Sequence, residues 1–308
     1  MENHKKREAK VYISAARKAG GKTYQTMKMV ESFVKGDMSV GRKPKKVLIL
    51  DVNNEYPYKK ISCDIDTIQK FRLTTNIEAR RITPFKPNGE VKTRQEIASD
   101  LDILIKYYYN GVLVLEDLTL IVGDAVSSDL VGSLSTNRHR TLDVIINFQT
   151  IAKVSNPKFN SVKNILRLHK TDDVSTRSTV RKNFGEDSFK KIRIAELIIY
   201  KKWLFGITKC KELEKAGRID GDKEYDYYNN KFVRHFVHID FDEGKMYGDF
   251  TLEEFKAACI RFLQAEKRTE LTPLLEEKDI NTEKNLYTLK TATEERMKEL
   301  ILLYGNRQ

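Results

Sequence analysis

The run from Ala16 to Thr23 reads Ala-Arg-Lys-Ala-Gly-Gly-Lys-Thr, which fits GxxxxGK[ST] except for alanine at the first glycine. Each position has its own task. Gly20 and Gly21 allow positive φ, turn backbone N–H groups inward and leave room for a phosphate to approach. Lys22 supplies a cation to the β- and γ-phosphates, and Thr23 offers its hydroxyl to Mg²⁺. The helix that follows directs the positive end of its dipole at the same anion. Ala16 falls at a strand exit, where small size is the main requirement. With Tyr24 beside them, Ala16, Gly20, Gly21, Lys22 and Thr23 form the candidate nucleotide-binding set; the alternative is a glycine-rich turn that holds no ligand.

Such a loop needs an acidic partner, and "GVLVLEDL" supplies one in Glu116 and Asp117 at a strand's carboxyl end. One carboxylate holds the Mg²⁺ shell and the next polarises the attacking water. The order Asp then Glu is reversed here, so Glu116 is assigned with Thr23 to the metal and Asp117 to the water. The alternative is an acidic strand end that caps the next helix. Gln149 ends the next strand, "DVIINFQT", where a carboxamide can contact both the γ-phosphate and the lytic water; the alternative is a polar residue leaving a buried strand. Arg138 and Arg140 in "STNRHR" are candidate arginine fingers for a neighbouring subunit; the alternative is a solvated basic loop or contacts to DNA phosphate.

Positioning these groups requires strands that end where the chemistry begins. "KVYISAA" reads as a short strand, and "TYQTMKMVESFVKG" spaces Tyr24, Met27, Met29, Val30, Phe33 and Val34 at helical intervals, ending at Gly36. "KKVLILD", "NGVLVLED", "TLDVIINFQ" and "KNILRLHK" read as buried strands and "DLDILIKYYY" as a helix. This alternation predicts an α/β fold with a mainly parallel sheet covered by helices. "FKKIRIAELIIYKKWLFG" reads as a helix leaving that core. From about Gly206 a small α+β region is expected, with a hairpin turning at Asp242 to Gly244, a helix capped by Thr251 and a final helix "ATEERMKELILLYG". The expected division is therefore residues 1–205 and 206–308.

Asp51 and Glu55 in "VLILDVNNEYPY" flank the exit of the second strand, at the nucleotide end of the sheet. In order, "ARKAGGKT", "LILDVNNEY", "VLVLEDL", an Arg-containing segment and "IINFQ" resemble the FtsK/HerA group of P-loop motors over roughly residues 10 to 200. Within that group the chain looks most like viral genome-packaging ATPases, and "NRHRTLDVIINFQ" is similar to the arginine-bearing strand entry of packaging motors in small tailed phages. The resemblance implies a P-loop NTPase fold and ATP hydrolysis with Mg²⁺. It also implies a homo-oligomeric ring, pentamer or hexamer, that pulls double-stranded DNA and docks at a portal or capsid vertex. The chain departs from the group's pattern at Ala16, at the Glu116-Asp117 order, and in a C-terminal region without a match.

The 308 residues carry a net charge of +12, which favours an anionic partner, and the nearly balanced charges after Gln264 leave the excess to the rest of the molecule. Cys63, Cys210 and Cys259 are widely spaced and odd in number, against a disulfide framework or a CxxC metal site. No apolar run reaches bilayer length, and the N-terminus lacks a signal core, so the expectation is no membrane partner and a cytoplasmic protein, in the host if viral, transiently at the procapsid. Other readings are a conjugative or chromosomal DNA pump, a partition-type nucleotide switch suggested by Arg17 before the loop, and a DNA-binding protein whose loop holds phosphate structurally. A packaging nuclease would use Asp240, Asp242 and Glu243, which a hairpin turn explains more economically. His235 and His238 are too awkwardly spaced on a strand to share a zinc ion.

Overall fold

Val47–Leu50 and Val112–Leu115 are runs of branched aliphatic residues with no polar alternate, and such strands are stable only with apolar cover on both faces. Both are buried along their whole length in the computed structural model of the protein, which describes residues 9–17, 20–40, 42–117, 132, 136–137, 139–151, 164–171, 177–279 and 282–305. The chain forms two units, one of Met1–Leu166 with Thr171–Asn183 and the other of Arg167–Lys170 with Phe184–Gln308.

In the first unit, β1 (Val11–Ala15) leads to helix α1 (Lys22–Lys35), followed by β2 (Val47–Leu50), β3 (Lys59–Lys60), α2 (Ile65–Leu73), β4 (Ala79–Ile82), α3 (Arg94–Tyr107), β5 (Val112–Leu115) and β6 (Asp143–Phe148). These strands lie side by side in the order β3-β4-β2-β5-β6-β1. Every pairing among them is parallel, as the mainly parallel α/β reading anticipated. Val30 and Phe33 of α1 pack with Val47, Ile49, Val112, Val114, Ile145 and Tyr56 in one buried cluster. Each such fully buried side chain is worth about 1.5–3 kcal/mol relative to exposure.

Register then decides what meets at the carboxyl end. Leu50 pairs with Leu115 and Leu115 with Ile146, so Asp51, Glu116 and Asn147 stand in adjacent positions at that end of the sheet. Ala15 pairs with Phe148, and the Ala16 N–H donates to the Phe148 carbonyl at 3.2 Å. The phosphate-loop entry and the exits of β2, β5 and β6 are thereby placed at one end of the sheet.

β7 (Ile165–His169) and α4 (Arg177–Phe184) carry the chain onward to the second unit. There α5 (Glu186–Lys215) is one continuous helix of 30 residues, so both Gly206 and the 205/206 division lie inside it. Gly206 is a close-approach position: a Cβ there would stand 2.6 Å from Phe232 Cβ, in the π-helical turn Asn229–Val233 that follows α6 (Lys223–Tyr228). β8 (Phe236–Asp240) and β9 (Met246–Gly248) form the expected antiparallel hairpin. Asp240 Oδ1 accepts the Asp242 and Glu243 amides at 2.9 and 3.0 Å, which makes these acids turn residues. Helix α7 (Leu252–Ala265) has the expected Thr251 cap in a full capping box, worth about 1 kcal/mol. Helix α8 (Leu289–Tyr304) is the last element among the described residues.

Among the described residues no group of three ligating side chains forms a metal site, and no helix is long and apolar enough to cross a membrane. Burial, and secondarily Lys202 for His235 and Arg167 for His238, pushes both histidines down to about 4.

Candidate nucleotide site

Helices normally satisfy their first N–H groups with a side chain. Asp64 does so for α2, Thr93 for α3 and Thr251 for α7. Helix α1 begins on Gly21, in the left-handed region at φ 82°, with no side-chain cap and no acidic residue in its first turn. Helix α5 also begins on a glycine without a side-chain cap, yet Glu186 and Asp187 stand in its first turn. At α1 nothing from its own sequence compensates the dipole, which leaves an anion site. A Cβ on Gly20 would lie 3.0 Å from the Arg17 carbonyl and 3.3 Å from Ala16 Cβ, so a side chain at position 20 would crowd both. Lys18 and Ala19 lie outside the described residues.

Lys22, the first residue of α1, sends its ammonium to the exit of β5. It stands 3.1 Å from Glu116 Oε1 and 3.9 Å from Asp117 Oδ1. Both acids are buried, Glu116 at 0% exposure and Asp117 at 2%. Each is gripped through its other oxygen. Glu116 Oε2 accepts the Tyr56 hydroxyl at 2.6 Å and Asn147 Nδ2 at 2.7 Å. Asp117 Oδ2 accepts Gln149 Nε2 at 2.6 Å and Asn53 Nδ2 at 3.3 Å. Glu116 Oε1 and Asp117 Oδ1 have no hydrogen-bond partner among the described residues and face Lys22. Asp117 has φ 47°, a left-handed conformation uncommon outside glycine.

Thr23 Oγ1 donates to Glu55 Oε2 at 2.8 Å, which keeps its own lone pairs for a cation. Tyr24 stands one residue further along α1 with Lys28 Nζ 4.5 Å over its ring. Buried carboxylate oxygens that face the Lys22 ammonium, a hydroxyl with open lone pairs and a glycine cradle fit a hydrated Mg²⁺ and a triphosphate. Magnesium is typically bound by one or two such oxygens plus phosphates and water, not by an all-protein cage.

Of the residues singled out in the sequence, the fold therefore brings Ala16, Gly20, Gly21, Lys22, Thr23, Glu116, Asp117 and Gln149 to one end of the sheet. It does not bring Arg140 there. Arg140 precedes β6 and Gln149 follows it, and a six-residue strand spans about 20 Å. The Arg140 guanidinium donates to the carbonyls of Tyr108 at 2.9 Å and Lys106 at 3.3 Å, and burial lowers its pKa from the ordinary arginine value. Arg138 lies outside the described residues. Sequence reasoning did not single out Tyr56, Asn53 or Asn147. Asn147 left a signal, since an asparagine inside "VIINF" must find a partner when the strand is buried.

No family model matches the chain, and no curated protein matches it. Among solved structures, 52 chains match. The genome packaging NTPase B204 from Sulfolobus turreted icosahedral virus 2, in complex with AMPPCP, is 13% identical over 79% of this chain and 98% of that one, with a TM-score of 0.47. The N-terminal domain of zonular occludens toxin from Neisseria meningitidis is 13% identical over 55% and 81%, with a TM-score of 0.33. The assembled ATPase EscN from the enteropathogenic E. coli type III secretion system is 10% identical over 73% and 61%, with a TM-score of 0.28. These likenesses are distant, and the roles of the side chains rest on the geometry of the site itself.

Proposed function

We propose that the protein is a Mg²⁺-dependent ATPase that drives double-stranded DNA, a viral genome-packaging motor working as a homo-oligomeric ring of five or six copies at a portal or capsid vertex. The observation that carries the ATPase reading is the uncapped α1 terminus with Lys22 facing two buried, pre-oriented carboxylates. The order of motifs along the chain and the charge of +12 support the DNA motor.

Gly20, Gly21 and the first amides of α1 bind the phosphates, and Lys22 neutralises their β- and γ-charge. Thr23 and Glu116 would hold Mg²⁺, which draws charge from the phosphate oxygens in the transition state. Asp117 accepts a hydrogen bond from the attacking water and takes up its proton as the new bond to the γ-phosphorus forms and the bridging bond to ADP breaks. Gln149 holds Asp117 from behind at 2.6 Å and stands where the γ-phosphate state can be sensed.

Purified protein should hydrolyse ATP faster with duplex DNA than without it and form rings under the electron microscope. Dimers with DNA-independent turnover would support the partition-type switch instead, and binding to DNA with no turnover would support a structural phosphate loop.

The proposed finger role of Arg138 and Arg140 concerns a neighbouring subunit's site. Arg140→Ala should lower stability by about 2 kcal/mol through lost charge-assisted hydrogen bonds, read as a lower urea midpoint, with nucleotide affinity retained. Doping the variant into wild type isolates the finger. Loss of turnover steeper than the mutant fraction supports it, and proportional loss removes it.

A further inference from the structure

The chain leaving β2 holds three groups of the site. Asn53 holds Asp117, Glu55 holds Thr23 and Tyr56 holds Glu116. Such a segment acts as a template only if its own backbone is fixed, and what fixes it lies one strand away. Asp51, at 0% exposure, accepts the Glu55 amide on Oδ1 at 2.9 Å and the Tyr56 amide on Oδ2 at 3.1 Å. A carboxylate so buried needs a cation, and Arg81 of β4 supplies it, with Nη1 2.7 Å from Asp51 Oδ2. The same guanidinium reaches Asn54 Oδ1 at 2.8 Å and the Tyr58 carbonyl at 2.9 Å. Its fork therefore binds three acceptors within residues 51–58, and Asn54 sits at φ 57° between them.

We infer that Arg81 is a positioning residue for the nucleotide site: through Asp51 it sets the backbone of residues 51–56, and through Tyr56 and Asn53 that segment aims the two carboxylates of β5. The inference rests on the Mg²⁺-nucleotide reading for its chemistry and on the hydrogen bonds alone for its geometry. Arg81 itself makes no contact with Glu116, Asp117, Lys22 or Thr23 among the bonds described. Its effect on them must pass through Tyr56 and Asn53, which distinguishes this role from a separate stabilising ion pair.

The test uses R81Q, Y56F and the double variant of the full chain. Amide hydrogen exchange without nucleotide should show faster exchange across residues 52–58 in R81Q and an unchanged pattern in Y56F, which keeps the Asp51 bonds. Binding of a fluorescent ATP analogue is then measured with and without Mg²⁺. Affinity without the metal should stay within about twofold in all variants. The gain in affinity on adding Mg²⁺ should fall about five- to tenfold in each single variant and little further in the double one, because residues acting in series do not add. Retained protection in R81Q, or losses that multiply in the double variant, would overturn the inference. A wild-type protein that gains no affinity from Mg²⁺ would overturn the nucleotide reading and the aiming of carboxylates with it, while the exchange result would still decide whether Arg81 sets the loop.

Discussion

Lys22→Ala is expected to lower ATP turnover by at least about a thousandfold, equivalent to about 4 kcal/mol of transition-state stabilisation, while the protein keeps its native circular dichroism. Lys22 is the cation that stands between the α1 terminus and both β5 carboxylates, at 3.1 and 3.9 Å. With nucleotide bound, its charge is the one placed to offset the β- and γ-phosphate oxygens. Without nucleotide it offsets Glu116 and Asp117, so the alanine variant should also melt several degrees lower, since a buried charge that loses its partner is destabilising. The fold survives because four other donors still grip the two acids, from Tyr56, Asn147, Gln149 and Asn53. Lys22→Arg separates the two effects. It should restore most of the melting temperature and little of the turnover, because the longer, forked side chain does not place a point charge where the ammonium stood. A folded alanine variant that turns over ATP within tenfold of wild type would remove the phosphate-loop assignment.

The parts of this site that were legible in the sequence are those whose chemistry lies within a few residues of an apolar strand. Glycine, lysine and threonine follow β1 within a few residues, and two acids follow β5, whose four residues are all apolar, so that the first polar residue marks its exit. What was not legible depends on strand order. Glu116 and Tyr56 are 60 residues apart, and Glu116 and Asn147 are 31 apart; both contacts follow from β2 and β6 lying on either side of β5. β4 reads "ARRI" with only Ile82 buried, too polar for an apolar-run criterion, yet it supplies Arg81. Gly206 misled for another reason. A glycine in a helix can mark its end or a close approach, and the Phe232 contact that decides between them comes from a distant turn. Arg140 and Gln149 flank the same strand, and Arg140, before β6, stands at the opposite end of the sheet from Gln149 after it.

Asp117→Asn should bind Mg-ATP nearly as well as wild type and hydrolyse it about a hundred- to ten-thousandfold more slowly, the usual worth of a general base. Asparagine tolerates the φ of 47° at this position, so the backbone is not strained by the change. Gln149 Nε2 donates to the oxygen on one side of residue 117. An asparagine must keep its carbonyl there and turn its amide NH₂ toward Lys22, where an acceptor for water is needed. Glu116→Gln is constrained in the same way. Tyr56 and Asn147 both donate to one oxygen, which forces the new NH₂ onto the side now facing Lys22 at 3.1 Å. That variant should therefore raise the Mg²⁺ concentration needed for half-maximal turnover as well as lowering the rate. The two substitutions are electronically alike and differ only in which oxygen they take from the site, so the Mg²⁺ titration of each variant reads the partition directly. A metal requirement that shifts in Asp117→Asn and stays unchanged in Glu116→Gln would reverse the assignment, with Asp117 on the metal and Glu116 on the water, and would leave the pair itself intact.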